Sequence, residues 1–291
     1  MCVDYLFCKS LYEQKYIMKD INVNNNMLMP PLQGQFKQKS FFIYAACDTM
    51  YFDEFGRSII RSIRQNSNTG IHIHLYNPTP EQIRYCIGQS QVSVTYEYVP
   101  LALFESAAAA ITAVSADPAH ADQHKRTLTA MSKSNDQSIQ QRCQRTYFAS
   151  ARFVRLNEIM PVDATLLAID SDAIVRANIP GLADQKDFYI HHITGKKARF
   201  LAGGIYLTGS KKGHEFMTQY AAALQLCIES DHLYWGIDQD VLNSIVPGYN
   251  FGNLPKEYID WEMQPGSYIW TAKGTRKELT IFINEQKKYS A

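Results

Sequence analysis

Apolar runs and amphipathic stretches alternate along the first hundred residues. Phe41-Phe42-Ile43-Tyr44-Ala45-Ala46 is wholly apolar and predicts a first core strand. Phe52 to Arg64 places Phe55, Ile59, Ile60 and Ile63 on one helical face, and Asn66 to Gly70 closes that helix. Ile71-His72-Ile73-His74-Leu75-Tyr76 alternates and predicts a second strand; Pro78 and Pro80 precede a helix around Glu81 to Gly88, and Val92 to Val99 alternates again as a third strand. A β-α-β-α-β order implies a parallel sheet with right-handed crossovers. The expected fold class is therefore α/β, a mostly parallel central sheet flanked by helices.

Further along, 101–145 reads as a helical insertion: Ala107 to Ala110 favour helix, Asp117-Pro118 breaks it, and Lys125 to Gln144 reads as polar and mobile. A lid over a cleft and a solvated helical excursion are both open for it. Tyr147 to Met160 is helical and Pro161 ends it. Ala164 to Ile169, Phe188 to Ile190 and Phe200 to Thr208 read as strands, His214 to Ser230 as a helix, Trp235 to Ile245 as a turn and helix, and Leu279 to Ile283 as a last strand. Residues 1–38 read as an N-terminal extension, with Asn24-Asn25-Asn26, Pro30-Pro31 and Gly34 as punctuation and a short helix expected in Met1 to Met18. That leaves 39–291 as a single domain carrying the insertion.

Charge and cysteine usage narrow the function classes. The 291 residues are 46% hydrophobic and 20% charged, with a formal net charge of +1, which gives no bulk electrostatic case for nucleic acid. The six cysteines, at 2, 8, 47, 86, 143 and 227, form no CxxC pair, which fits a reduced cytoplasmic protein better than a disulfide scaffold or a zinc site. No apolar stretch approaches a transmembrane segment of about 20 residues, and the N-terminus lacks the apolar core of a signal peptide. No phosphate-binding glycine loop and no internal repeat is present.

The strongest chemical signal is Asp170-Ser171-Asp172, directly after the apolar run Leu166-Leu167-Ala168-Ile169. Read as strand residues, the two acids point the same way and reach one cleft. Two hard carboxylates there suit Mn²⁺ or Mg²⁺ and, through the metal, a diphosphate. A solvated turn at a strand end is the structural alternative.

From Leu166 to Ile179 the chain closely resembles the D-x-D segment of the GT-A glycosyltransferases, most of all the family-eight branch that includes glycogenin and the lipopolysaccharide galactosyltransferases. The resemblance covers roughly 40–277, more weakly over 100–145. It implies a GT-A, Rossmann-like domain, a UDP-sugar donor and Mn²⁺ (or Mg²⁺), with Asp170 and Asp172 as metal ligands and Ser171 between them at the donor. Tyr44-Ala45-Ala46-Cys47-Asp48 resembles the family's first strand and nucleotide loop, which assigns Ala45, Ala46 and Asp48 to the nucleotide. Ser150-Ala151-Arg152-Phe153 resembles the A-R-L segment whose arginine touches the donor, matching Arg152.

Leu201-Ala202-Gly203-Gly204 resembles the N-(A/S)-G strand, with Ala202 where the asparagine usually stands; Gly203 and Gly204 would let a sugar approach the backbone, and a β-bulge is the alternative. Trp235 to Asn243 resembles the D-Q-x-x-L-N segment, which makes Asp238 and Gln239 the candidates beside the transferred sugar; an Asp-capped helix start is the structural alternative. The C-terminal H-F-x-G-x-x-K-P-W motif has only a loose counterpart, Ile269 to Lys277, without its histidine; Lys273, Arg276 and Lys277 are the candidates for the diphosphate.

These resemblances imply a metal-dependent hexosyltransferase moving a sugar from a nucleotide-sugar donor to the hydroxyl of an undefined glycan, lipid or protein acceptor, with retention and front-face attack. An inverting enzyme would need a carboxylate base, for which Asp238 or Asp240 qualifies. A sugar-1-phosphate nucleotidyltransferase and a non-catalytic nucleotide- or sugar-binding protein with a degraded site are the alternatives.

Overall fold

The sheet is built around the apolar runs. A computed structural model describes residues 29–114, 121–132, 138–182, 185–194, 199–229 and 233–290. Its strands are β1 (Gln33–Gln35), β2 (Phe42–Asp48), β3 (Gly70–Tyr76), β4 (Val92–Glu97), β5 (Thr165–Ile169), β6 (Ala173–Val175), β7 (Phe188–Ile193), β8 (Arg199–Thr208), β9 (Phe251–Asn253) and β10 (Ile269–Thr271). Eight of them form one sheet in the order β1-β4-β3-β2-β5-β8-β7-β9. The stretch β4-β3-β2-β5 is parallel, as the crossover order requires, while β8 runs antiparallel to both β5 and β7. The sheet and its helices divide into two units, Leu32–Tyr98 with Ile159–Glu215 and Gly248–Ala291, and Val99–Glu158 with Phe216–Pro247.

The first unit holds the whole sheet. On one face Ile43, Ala45 and Cys47 of β2, Ile71, Ile73 and Leu75 of β3, and Leu167 and Ile169 of β5 pack against Ile59, Ile60 and Ile63 of the helix Arg57–Asn66. That helix continues from a helical turn at Thr49–Tyr51 through a π-helical turn at Phe52–Gly56. The helix Pro80–Ile87 starts on a capping box, Thr79 with Gln82, with proline in its first turn. The other sheet face carries buried polar residues: the His72 ring bonds Ser93 Oγ at 2.8 Å and Thr95 Oγ1 at 2.9 Å. Alternation in β3 thus separates an apolar buried face from a polar buried face rather than a core from solvent.

Leu279 to Ile283 is not a strand. Thr280–Lys287 is a helix, which buries Phe282 beside Phe55, Ile174, Trp270 and Tyr289. A five-residue segment with four apolar residues fits either state, and the helix formers Glu285, Gln286 and Lys287 extend it as a helix.

The second unit is helical: Leu101–Val114, Ala121–Ser132, Ile139–Ile159, Lys211–Glu229 and Ile237–Ile245, the third and fourth of these ending and starting in the sheet unit. The polar stretch from Lys125 is helical to Ser132, and Ile139 to Gln144 are the opening turns of the long helix. Arg142 and Cys143 there are buried, with Arg142 Nη2 on the Ala130 carbonyl at 3.0 Å. The expected break at Asp117-Pro118 and helix at Met1 to Met18 lie outside the described residues. Among the described residues no helix is long and apolar enough to cross a membrane.

Candidate functional site

In an open α/β sheet, ligands bind outside the carboxyl ends of the strands where the strand order reverses. Here the chain leaves β2 toward β3 and β4, then returns to β5 on the other side of β2. Asp48 ends β2, and Asp170 follows the last residue of β5, so both acids fall at that switch point.

Asp170-Ser171-Asp172 is not strand. It forms the link between β5 and β6, and β6 leaves the main sheet to pair with β10. The two carboxylates are therefore placed by their neighbours rather than by strand alternation. Asp170 lies over Gly203 of β8: a Cβ there would meet Asp170 Oδ2 at 2.7 Å. Asp172 is buried, its carbonyl accepts from Ala272 N at 3.1 Å, and its Oδ2 pairs with Lys277 Nζ at 2.8 Å. Lys277 also donates to Tyr51 Oη at 2.8 Å and lies over the Tyr51 and Phe55 rings, at 4.4 Å and 4.9 Å from their centroids. Burial pushes the Asp172 carboxyl up, Lys277 pulls it down and Asp170 pushes it up again. Burial works against the Lys277 ammonium, but Asp172 and Tyr51 outweigh it and hold its pKa above the ordinary lysine value. Asp172 Oδ1 is buried and has no hydrogen-bond partner.

The other predicted residues of this unit divide. Asp48 caps the helical turn that follows it, its Oδ1 accepting from Tyr51 N at 2.8 Å. Ala45 faces the core and Ala46 the opposite sheet face, so a ligand would meet Ala45 through its backbone. Ser171 is buried. The β7–β8 register shifts beside Ala202 to Gly204, so the sequence's β-bulge alternative is present in the ladder. Gly204 is packed from the core: a Cβ there would collide with Ile259 Cδ1. Lys273 and Arg276 are exposed, and Lys273 Nζ lies 5.5 Å from the centroid of the Trp261 ring. Of the three C-terminal cations, Lys277 is the one held on Asp172.

In the helical unit, Arg152 is buried on the long helix, its guanidinium 4.6 Å from the centroid of Phe153. Tyr220 Oη donates to the Asp238 carbonyl at 3.1 Å. Burial first, then Asp238, push the Tyr220 phenol up, and Arg152 pulls it down, so the three form one electrostatic group. Asp238 is not the helix cap. Gly236, left-handed at φ 94°, occupies that position, and Asp238 Oδ1 accepts from Gln239 N at 2.9 Å. Asp240 is tied down: Arg126 Nη1 lies 2.8 Å from its Oδ2, which also accepts from Tyr234 Oη at 2.7 Å. That occupied carboxylate is a poor candidate for the acceptor base. Tyr51, Tyr220, Arg126 and Tyr234 were not among the sequence candidates, and nothing in their local sequence marks them.

The residues present fit a divalent cation in one respect. Asp172 Oδ1 is a hard, buried, unpartnered oxygen with a second carboxylate two residues away. Among the described residues no group of three His, Cys, Asp or Glu side chains converges for a metal, so substrate oxygens and water would complete the shell, as Mn²⁺ and Mg²⁺ tolerate.

No family model matches the sequence, and no curated protein matches it. Solved structures do. The glycosyltransferase GlyE of Streptococcus pneumoniae TIGR4 matches at TM-score 0.51 and 13% identity, over 86% of this chain and 60% of that one. The apo bifunctional glycosyltransferase WbbM matches at TM-score 0.47 and 12% identity, over 92% of this chain and 51% of that one. The galactosyltransferase LgtC, in complex with donor and acceptor sugar analogs, matches at TM-score 0.48 and 11% identity, over 86% and 96%. The chain thus spans about half the length of WbbM and 60% of GlyE. The GlyE likeness carries the conclusion on fold: the chain has the fold of the GT-A glycosyltransferases.

Proposed function

We propose that this protein is a glycosyltransferase that takes a UDP-hexose donor with Mn²⁺ or Mg²⁺ and transfers the sugar, with retention, to an acceptor hydroxyl. The observation that carries the proposal is the Asp170–Asp172 link at the switch point of a GT-A sheet, with Lys277 clasped on Asp172. Asp170 and Asp172 would hold the metal, which when bound neutralises the leaving diphosphate. Lys277 supplies a preorganised positive charge beside the same carboxylate, where negative charge grows as the glycosidic bond breaks. Asp48, Ala45 and Ala46 line the nucleotide end, Ser171 and Gly203 the sugar end beside Asp170. Gly204, in the core, acts on the sugar only by allowing the β8 backbone to pack there.

Arg152, Asp238 and Gln239 supply the polar groups of the helical unit. Their roles follow from the family resemblance alone: Arg152 toward the donor, Asp238 toward sugar hydroxyls and Gln239 toward charge at the anomeric centre, with Tyr220 holding Asp238 through its carbonyl inside the helical unit. Arg276 adds positive charge for the diphosphate from an exposed turn. The buried free cysteines Cys47, Cys86, Cys143 and Cys227 suit the cytoplasmic setting we assign.

The test is turnover. The protein with Mn²⁺ and each of a set of UDP-hexoses should release UDP slowly by donor hydrolysis, and NMR should show the freed sugar first as the anomer with the donor's own configuration. Asp172→Asn should abolish release. No UDP from any donor, or release unchanged in Asp172→Asn, contradicts the proposal.

A further inference from the structure

His191 lies in β7 at the register shift: Ile190 faces Ile205 of β8, but His191 faces Leu201. Residues Ala202 to Gly204 stand opposite that single step. The half-buried His191 ring packs against Trp261, with centroids 4.7 Å apart. Trp261 is itself half-buried, and Lys273 Nζ sits 5.5 Å from its ring centroid. His191 Nδ1 is buried and has no hydrogen-bond partner. Burial first, then Lys256, Lys273 and His192, hold the imidazole below its ordinary pKa.

The cluster is thus a half-buried imidazole with an unused nitrogen, packed on an aromatic face that the exposed Lys273 ammonium flanks, with the exposed Lys256 acting on the same imidazole through its charge. An unpaired buried nitrogen is costly, and neighbouring like charges raise one another's energy. A single anionic group bridging the lysines and His191 relieves both at once, and with that charge neutralised the imidazole protonates more easily and becomes a donor. Beside it the Trp261 face offers an apolar surface on which a sugar ring can lie by its C–H face.

We propose that His191, Lys256, Lys273 and Trp261 form a subsite for an anionic sugar, one carrying a carboxylate or a phosphate. Its place as the acceptor subsite rests on the transferase reading; the anion site itself does not. Lys273 then serves the acceptor rather than the donor diphosphate, the duty that stays with Lys277.

The test is proton–carbon NMR of the histidine and tryptophan side chains of the full chain, titrated at constant ionic strength with glucuronate, glucose or inorganic phosphate. Glucuronate should move the His191 and Trp261 signals saturably and raise the His191 titration midpoint, while glucose leaves that midpoint unchanged. Lys256→Ala with Lys273→Ala should remove the response without changing the circular dichroism. Phosphate moving His191 as strongly as glucuronate, with Trp261 silent in both, overturns the sugar platform. Silence of His191 toward both anions overturns the subsite. A glucuronate response in a protein that binds no nucleotide sustains the subsite and removes its acceptor role, so the two failures are distinguishable.

Discussion

The Asp170 carboxylate lies over Gly203 so closely that a Cβ at 203 would meet Oδ2 at 2.7 Å, and the absence of a side chain on β8 therefore sets where this acid can stand. Gly203→Ala should push Asp170 aside and weaken metal-dependent nucleotide binding at least tenfold, with little loss of stability. Gly204→Ala should do the reverse. Its methyl enters the packed contact with Ile259 and Leu254, an overpacking that costs about 1–3 kcal/mol, while nucleotide affinity stays near wild type. Calorimetric titration and urea melts on the two variants separate the effects.

Lys277 and Asp172 form a largely buried pair, at 21% and 11% side-chain exposure. Lys277→Met strands the carboxylate and should lower stability by about 3 kcal/mol, the range for breaking one side of a buried pair. Asp172→Asn with Lys277→Met should cost clearly less than the sum of the single changes. Urea melts of the four proteins measure the coupling; strict additivity contradicts the pairing.

Acid should destabilise the fold through His72. Burial first, then His74, lower its pKa to about 3, against an ordinary value of 6.5. Between those two values the unfolded chain binds the proton and the folded chain does not, so stability falls as pH falls from about 6.5 toward 3, by up to ~1.4 kcal/mol per pH unit for this group. His72→Asn should flatten the dependence over that window. A slope equal to wild type in urea melts at stepped pH contradicts the assignment.

Arg126 should govern the mobility of the Asp238–Gln239 turn. It holds Asp240 from the helix Ala121–Ser132, whose Thr127 Oγ1 also accepts from Trp235 N at 3.3 Å. Arg126→Ala should speed amide hydrogen exchange across 234–240 and leave exchange in β2 and β5 unchanged. Arg126→Lys should restore part of the protection, because an ammonium keeps the charge and loses the planar fork.

The sequence reveals most where local pattern and burial coincide. β2, β3 and β4 were legible because apolar runs and alternation match strands, and the acid link was legible because it follows an apolar run. The geometry of that link was not: Asp170 to Asp172 leave the strand, and their positions depend on Gly203 and Lys277, contacts that no local pattern encodes. Gln33–Gln35 is polar throughout and pairs with β4 only as an edge. Asp48 carries one short polar side chain that serves equally as a helix cap and as a ligand contact, so its residue type alone does not choose. The opening of the long helix at Ile139 was hidden because its buried face uses Arg142, whose guanidinium lies 4.3 Å from the Trp235 ring centroid, where periodicity looks for an apolar residue.

The most direct test of the donor site is a thermal-shift comparison of UDP, GDP, CMP and ADP, with and without Mn²⁺, on the wild-type protein and Asp172→Asn. A ligand at about 100 times its dissociation constant stabilises by ~2.7 kcal/mol, a shift the assay resolves. The account predicts stabilisation by UDP only with Mn²⁺, lost in Asp172→Asn. No stabilisation by any nucleotide under either condition, or a UDP shift that ignores both Mn²⁺ and Asp172, contradicts it.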